Sequence, residues 1–206
     1  SEDQQDNHLV LHQWSTIHAV DAGRSPESMG LHGRNTVVRS SVVTSVGAFS
    51  QPVAIGTDYH LAMLLLRDGH RIEFVPAPVF TQYPERPGDY VRQQSRWLRN
   101  VLLHAPKFGN SAELTSVRRT VILGASLLAW PATWRWTKFW GITVWAIPIA
   151  AMTRQRMRNQ SRLETDCKLP RAHQNVVRAI AFSILDLVAW ASPVVGLLKG
   201  DWKSRW

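Results

Sequence analysis

The sequence predicts an α/β segment followed by transmembrane α-helices, with the change of character near residue 115. Three observations predict it. Up to that point short apolar stretches alternate with Gly, Pro and polar residues, the pattern of a globular α/β domain. Beyond it lie three apolar blocks, 117–134, 136–152 and 179–198. The third comfortably meets the ~17–25 apolar residues of a spanning helix, and the first two sit near its lower limit. Finally, nine of the ten tryptophans lie at or after Trp97, beside apolar runs and basic residues. Membrane interfaces favour that distribution, because indole joins an apolar body to a polar N–H.

The elements follow in order. Asp6 or Asn7 is a candidate cap for a helix with Val10, Trp14 and Ile17 on one face. A loop, AGRSPESMG, comes next. Thr36-Val37-Val38 reads as a short strand, and Ser40 to Val46 as a helix ending at Gly47. Thr57 is the expected N-cap of a helix from Asp58 to Asp68, stopped by Gly69, with Leu61, Leu64 and Leu65 on a shared face. RIEFVP, residues 71–76, alternates as a strand does, TQYPERPG is loop, and Asp89 to about His104 forms a basic amphipathic helix.

Composition narrows the classes. The chain has 206 residues, enough for one domain or part of a larger one, and a net charge of +9. A hydrophobic content of 45% excludes a disordered basic tail. The lone Cys167 excludes an intrachain disulfide framework and a cysteine zinc cluster. The opening SEDQQDN carries no signal-peptide pattern, and the chain reads as a piece from the middle of a longer protein. Mean hydropathy is only −0.17, so a buried helical hairpin competes with membrane spans. Arg118 and Arg119 at the start of the first block, with the tryptophans, favour the membrane.

Arg154, Arg156, Arg158, Arg162, Lys168, Arg171 and Arg178, between the second and third blocks, place that stretch and the N-terminal domain in the cytoplasm. Lys199, Lys203 and Arg205 would then lie outside if all three blocks span. Either the last block is re-entrant or these charges are overruled. Asp186, within that block, either lines a polar path or pairs within the protein.

Three stretches carry candidate chemistry: Gly33-Arg34-Asn35-Thr36-Val37-Val38-Arg39, Gly56-Thr57-Asp58, and Gln93-Gln94-Ser95-Arg96-Trp97. On a helix Gln93, Arg96 and Trp97 share a face. An amide, a guanidinium fork and an indole together suit a phosphorylated sugar. The same helix, with Arg92 and Arg99, also suits lipid headgroups. Asp58 is open to two readings: a first-turn acid favoured by the helix dipole, or a general base accepting a hydroxyl proton. His60 points about 160–200° away from Asp58 on an ideal helix and is assigned support. His8 and His12 have i, i+4 spacing without an accompanying carboxylate motif, which favours packing or surface roles over metal ligation.

The order Gly-x-Asn-x-x-x-Arg, Thr-Asp, Gln-x-x-Arg-Trp and apolar helices resembles the C-terminal half of the processive family 2 glycosyltransferases, the cellulose, chitin and hyaluronan synthases and their chitooligosaccharide-forming relatives. The resemblance covers roughly residues 28 to 155. It implies the C-terminal half of a Rossmann-like (GT-A) nucleotide-diphospho-sugar transferase domain over 1–114, with an interfacial helix, and two to three transmembrane helices over 115–206. It also implies an inverting transfer to a growing polysaccharide or glycolipid, with a nucleotide sugar such as a UDP-sugar as donor. The acceptor is a carbohydrate or lipid-linked sugar, membrane lipids are partners, and nucleic acid is not.

By that resemblance Asp58 is the catalytic base. Gln93, Arg96 and Trp97 bind the nucleotide diphosphate and acceptor, with Gly33, Asn35 and Thr57 as further binding positions. Thr81-Gln82-Tyr83-Pro84 stands in the place of the gating loop, with Gln82 and Tyr83 departing from the usual Thr-Glu-Thr-Pro. Thr57 stands where many members carry an acid. The chain has no Asp-x-Asp. The Mg²⁺ or Mn²⁺ expected in the full enzyme is therefore expected to be held by residues upstream of Ser1, and this piece by itself is expected to be inactive. The alternative is a non-catalytic, membrane-associated binder of anionic lipid or nucleic acid, with Arg92, Arg96, Arg99, Arg118 and Arg119 as a phosphate-contacting stripe.

Overall fold

The computed structural model of the chain describes residues 7–21, 27–28, 31, 36–48, 50, 53, 56–73, 75, 81–129, 134–168 and 175–198. The elements are α1 (His8–Asp21), β1 (Glu27–Ser28), α2 (Ser40–Ser45), α3 (Thr57–Arg67), β2 (Ile72–Glu73), α4 (Pro87–His104), a 3₁₀ turn (Ala105–Phe108), α5 (Ser111–Ala129), α6 (Trp134–Asp166) and α7 (Val176–Leu198). Contacts divide them into two compact units. The first holds residues 1–23, 81–95 and 119–202, and the second holds 24–80, 96–118 and 203–206.

In the first unit Asn7 is the cap of α1: its Oδ1 accepts the N–H groups of Leu9 (2.9 Å) and Val10 (3.4 Å). Helix α1 packs along α6, and α6 on α7. Leu9, Tyr90 and Ala189 form one buried cluster, flanked by Val91, Phe182 and Leu185. Leu127, Ile149 and Leu187 form a second, flanked by Trp145, Met152, Ile184 and Trp190. Helices α5 and α7 approach closely at Gly124, where a Cβ would lie 2.7 Å from that of Trp190.

Three expectations are corrected in this unit. The first apolar helix begins at Ser111, six residues earlier than its hydrophobic pattern, because Asn110 accepts the Glu113 N–H at 3.3 Å and starts the turn. Helix α6 does not end at Met152 but continues through the basic stretch to Asp166. No helix breaker follows Pro148, and side-chain bonds Gln155–Asn159 and Gln160–Glu164, both 2.9 Å, support it along its surface. Of the three blocks, only Val176–Gly196 is long and apolar enough among the described residues to cross a membrane, at a mean hydropathy of 1.7. Asn175 caps that helix through the Val177 N–H at 2.9 Å.

In the second unit β1 and β2 pair antiparallel, Glu27 opposite Glu73 and Ser28 opposite Ile72. The strand expected over 71–76 is thus two residues long among the described residues, and the expected loop before it supplies its partner. Thr36–Val38 is not a strand. The backbone there is irregular, and Val37 is 97% exposed. Helix α2 ends before Gly47 as the sequence indicates. Helix α3 buries Ala62, Met63 and Leu65, while Leu61 and Leu64 stay half-buried, so the packed face is rotated from the leucine stripe.

Candidate active site

Within the second unit the start of α3 meets Asn100 of α4. Helix α3 starts at Thr57, and its N-cap is Gly56, in the left-handed region at φ 71° and ψ 42°. The expected Thr57 cap is corrected: Thr57 is already helical, and no side chain caps the helix. The reason lies on α4. A Cβ at position 56 would meet Asn100 Cγ at 2.8 Å, so the chain turns into α3 with hydrogen in place of a side chain. Asp58 then falls in the first turn, where the helix dipole favours an anion. It is exposed, and one carboxylate oxygen accepts the Tyr59 N–H at 2.9 Å.

Gln93, Arg96, Trp97 and Asn100 follow i, i+3, i+4, i+7 spacing on α4, so Asn100 continues the Gln-x-x-Arg-Trp face by one turn. Arg96 and Trp97 are exposed, Trp97 at 38%. Asn100 is buried, and its Oδ1, like Gln93 Oε1, has no hydrogen-bond partner among the described residues. The neighbouring Arg92 is ion-paired with Asp89 at the surface.

The residues around Asp58 anchor its helix. Tyr59 donates its hydroxyl to Glu113 Oε2 at 2.7 Å, and Asn110 Nδ2 donates to the same oxygen at 2.7 Å. Burial first, and then the Glu113 carboxylate, push the Tyr59 hydroxyl well above the ordinary tyrosine range. His60 faces His104 and Phe108, with ring centroids 5.7 and 5.2 Å away. Burial and the nearby His104, Lys107 and Arg67 lower its pKa. That contact set fits the supporting role expected of it.

Gly33 and Asn35 are outside the described residues. The loop Thr81-Gln82-Tyr83-Pro84 belongs to the first unit and is held by α1: Gln13 Nε2 donates to the Pro84 carbonyl at 2.8 Å, and Asn7 Nδ2 to that of Glu85 at 3.3 Å. His12 packs, as expected, stacking on Phe182 at 4.8 Å. Among the described residues no cluster of three or more His, Cys, Asp or Glu side chains could hold a metal ion.

The profile of glycosyl transferase family group 2 matches residues 9–193 of this chain. The chain belongs to that family. Membership implies a nucleotide-sugar transferase of the GT-A class, of which the described residues contribute mostly helices. An N-acetylglucosaminyltransferase of Neorhizobium galegae is 29% identical over 178 residues, covering 75% of this chain and 37% of that protein. The N-acetylglucosaminyltransferase of Rhizobium sp. (strain N33) is 29% identical over 181 residues, with 75% and 36% covered. That of Rhizobium leguminosarum bv. viciae is 28% identical over 179 residues, with 75% and 38% covered. The chain thus spans a little over a third of the length of these relatives. No solved structure matches it.

Within this glycosyltransferase chain, Asn100 is the position that motif reading misses; its signal is its place three residues beyond Trp97 on the same face. Gly56, already part of the Gly-Thr-Asp motif, is in addition a contact of Asn100.

Proposed function

We propose that this chain is the acceptor-side and membrane-proximal part of an inverting glycosyltransferase of the processive, membrane-integrated kind. It acts on a nucleotide sugar, by likeness to its relatives a donor of N-acetylglucosamine, and on a carbohydrate or lipid-linked acceptor. The observation that carries this reading is the contact between Gly56 and Asn100, which sets the start of the Asp58 helix against the helix of Gln93, Arg96 and Trp97.

Asp58 takes the proton from the acceptor hydroxyl as its oxygen attacks the anomeric carbon. The new glycosidic C–O bond forms while the bond from that carbon to the diphosphate oxygen breaks, inverting the centre. The nucleotide diphosphate leaves with the bonding pair. Arg96, exposed on α4, offers its planar fork to the diphosphate, and Trp97 a ring face to the acceptor sugar. The divalent cation of the full enzyme would neutralise leaving-group charge and belongs to residues outside this chain. The apolar helix Val176–Gly196 and the tryptophan-rich segments attach the chain to the membrane at its cytoplasmic face.

The test is to assay the complete protein in washed membranes for transfer of radiolabelled N-acetylglucosamine from its UDP conjugate. Incorporation in the carbonate-resistant membrane fraction is expected. A protein released by salt alone, or one without transferase activity, contradicts the reading.

A further inference from the structure

The first unit buries a polar node that the proposed chemistry does not use. Asp186, in the middle of α7, is 4% exposed, and its two oxygens are both engaged. Oδ1 accepts the Tyr90 hydroxyl from α4, and Oδ2 is paired with Arg156 Nη2 from α6. Arg156 Nε donates to Ser183 Oγ at 2.9 Å, and its Nη1 donates to His12 Nε2 of α1 at 3.3 Å. That His12 nitrogen is also 3.5 Å from Asp186 Oδ1. Thr153 Oγ1 lies 3.4 Å from Ser183 Oγ and completes the node. Four helices therefore meet at one carboxylate, and no oxygen of it is left to line a polar path.

A buried ion pair is poor evidence for stability, because the desolvation of two charges offsets most of their attraction; its best-attested use is to fix register. The register fixed here is that of α4. Tyr90 is 5% exposed, wedged between Leu9 of α1 and Ala189 of α7. Gln93 and Trp97 follow it by three and seven residues and lie nearly in line with it along the helix.

We propose that Asp186, supported by Arg156, is a positioning residue that holds Tyr90 and thereby sets the rotation of this part of α4 and the presentation of Gln93 to the acceptor. The proposal rests on the reading of that face as substrate-binding. Asp58, on another helix, should keep its function in the loaded complex, so loss of the node weakens acceptor use and leaves the chemical step intact.

The test uses the complete enzyme in membranes. Tyr90→Phe removes one hydroxyl and keeps the ring and the ion pair. It should raise the acceptor KM by about tenfold, the scale of one hydrogen bond to a charged group, with kcat near wild type and a modest loss of thermal stability as Asp186 Oδ1 loses its buried donor. A KM unchanged in Tyr90→Phe overturns the proposal, as does a loss of stability with unchanged KM, which marks a structural role only. Asp58→Asn and Arg96→Lys separate the two failures: if both retain full transfer, the functional reading itself has failed, whereas if both lose it while Tyr90→Phe is neutral, only the positioning role has failed.

Discussion

Asn100 occupies the space that a side chain at position 56 would need: Cγ would be 2.8 Å, Nδ2 3.0 Å and Oδ1 3.1 Å from a Cβ on Gly56. Two segments separated in sequence are thereby coupled at the start of α3. Gly56→Ala should cost roughly 1–2 kcal/mol for a left-handed alanine, and about 1–3 kcal/mol more for overpacking. Trimming the partner in Gly56→Ala with Asn100→Ala should recover the second part and leave the first. A thermal-unfolding cycle of wild type, both single variants and the double variant measures this, with a coupling of ~0.5–3 kcal/mol expected. Strictly additive effects would deny the contact.

Arg96 is exposed, so Arg96→Lys should leave folding intact while weakening nucleotide retention by about tenfold, since an ammonium cannot reproduce a bidentate fork. Titration of UDP onto the complete protein measures it. Trp97→Ala should spare UDP affinity and lower the rate at limiting acceptor. Normal synthesis by both variants would leave this helix with lipid contacts alone.

Cys167 is exposed just past the end of α6, and it is the chain's only cysteine. Burial, then the Asp166 carboxylate, raise its thiol pKa, so at any given pH less of it is the reactive thiolate than in a free cysteine. Maleimide labelling should therefore be slower than that of a free thiol at neutral pH and accelerate as pH rises. Cytoplasmic placement of this stretch predicts labelling in inside-out vesicles and protection in right-side-out ones, with other cysteines of the complete protein replaced. Labelling only from the opposite side would invert the topology.

Local rules made the helices legible. Asn7 before the α1 pattern and Gly47 after α2 act as the sequence indicated, and the amphipathic face of α4 is where its spacing put it. What local rules could not supply came from partners distant in sequence. Thr57 has a cap residue's chemistry, yet Asn100, 43 residues away by numbering, makes position 56 the cap. Thr36–Val38 has strand propensity yet is irregular backbone, and propensity alone makes no strand. Asp186 was readable as a functional acid from its apolar surroundings, but only the positions of Tyr90 and Arg156 identify its bonds.

The central claim is that Asp58 is the base. The direct measurement is incorporation of radiolabelled sugar by Asp58→Asn in the complete enzyme, alongside its UDP affinity and membrane yield. Asparagine keeps the shape and suits a helix start, so folding and UDP binding should be unchanged. Because it cannot accept the hydroxyl proton, turnover should fall by at least ~10²-fold. Incorporation within a few-fold of wild type, with a stability change of at most ~1 kcal/mol, would show Asp58 to be only a favourable charge at the helix start and would contradict the account.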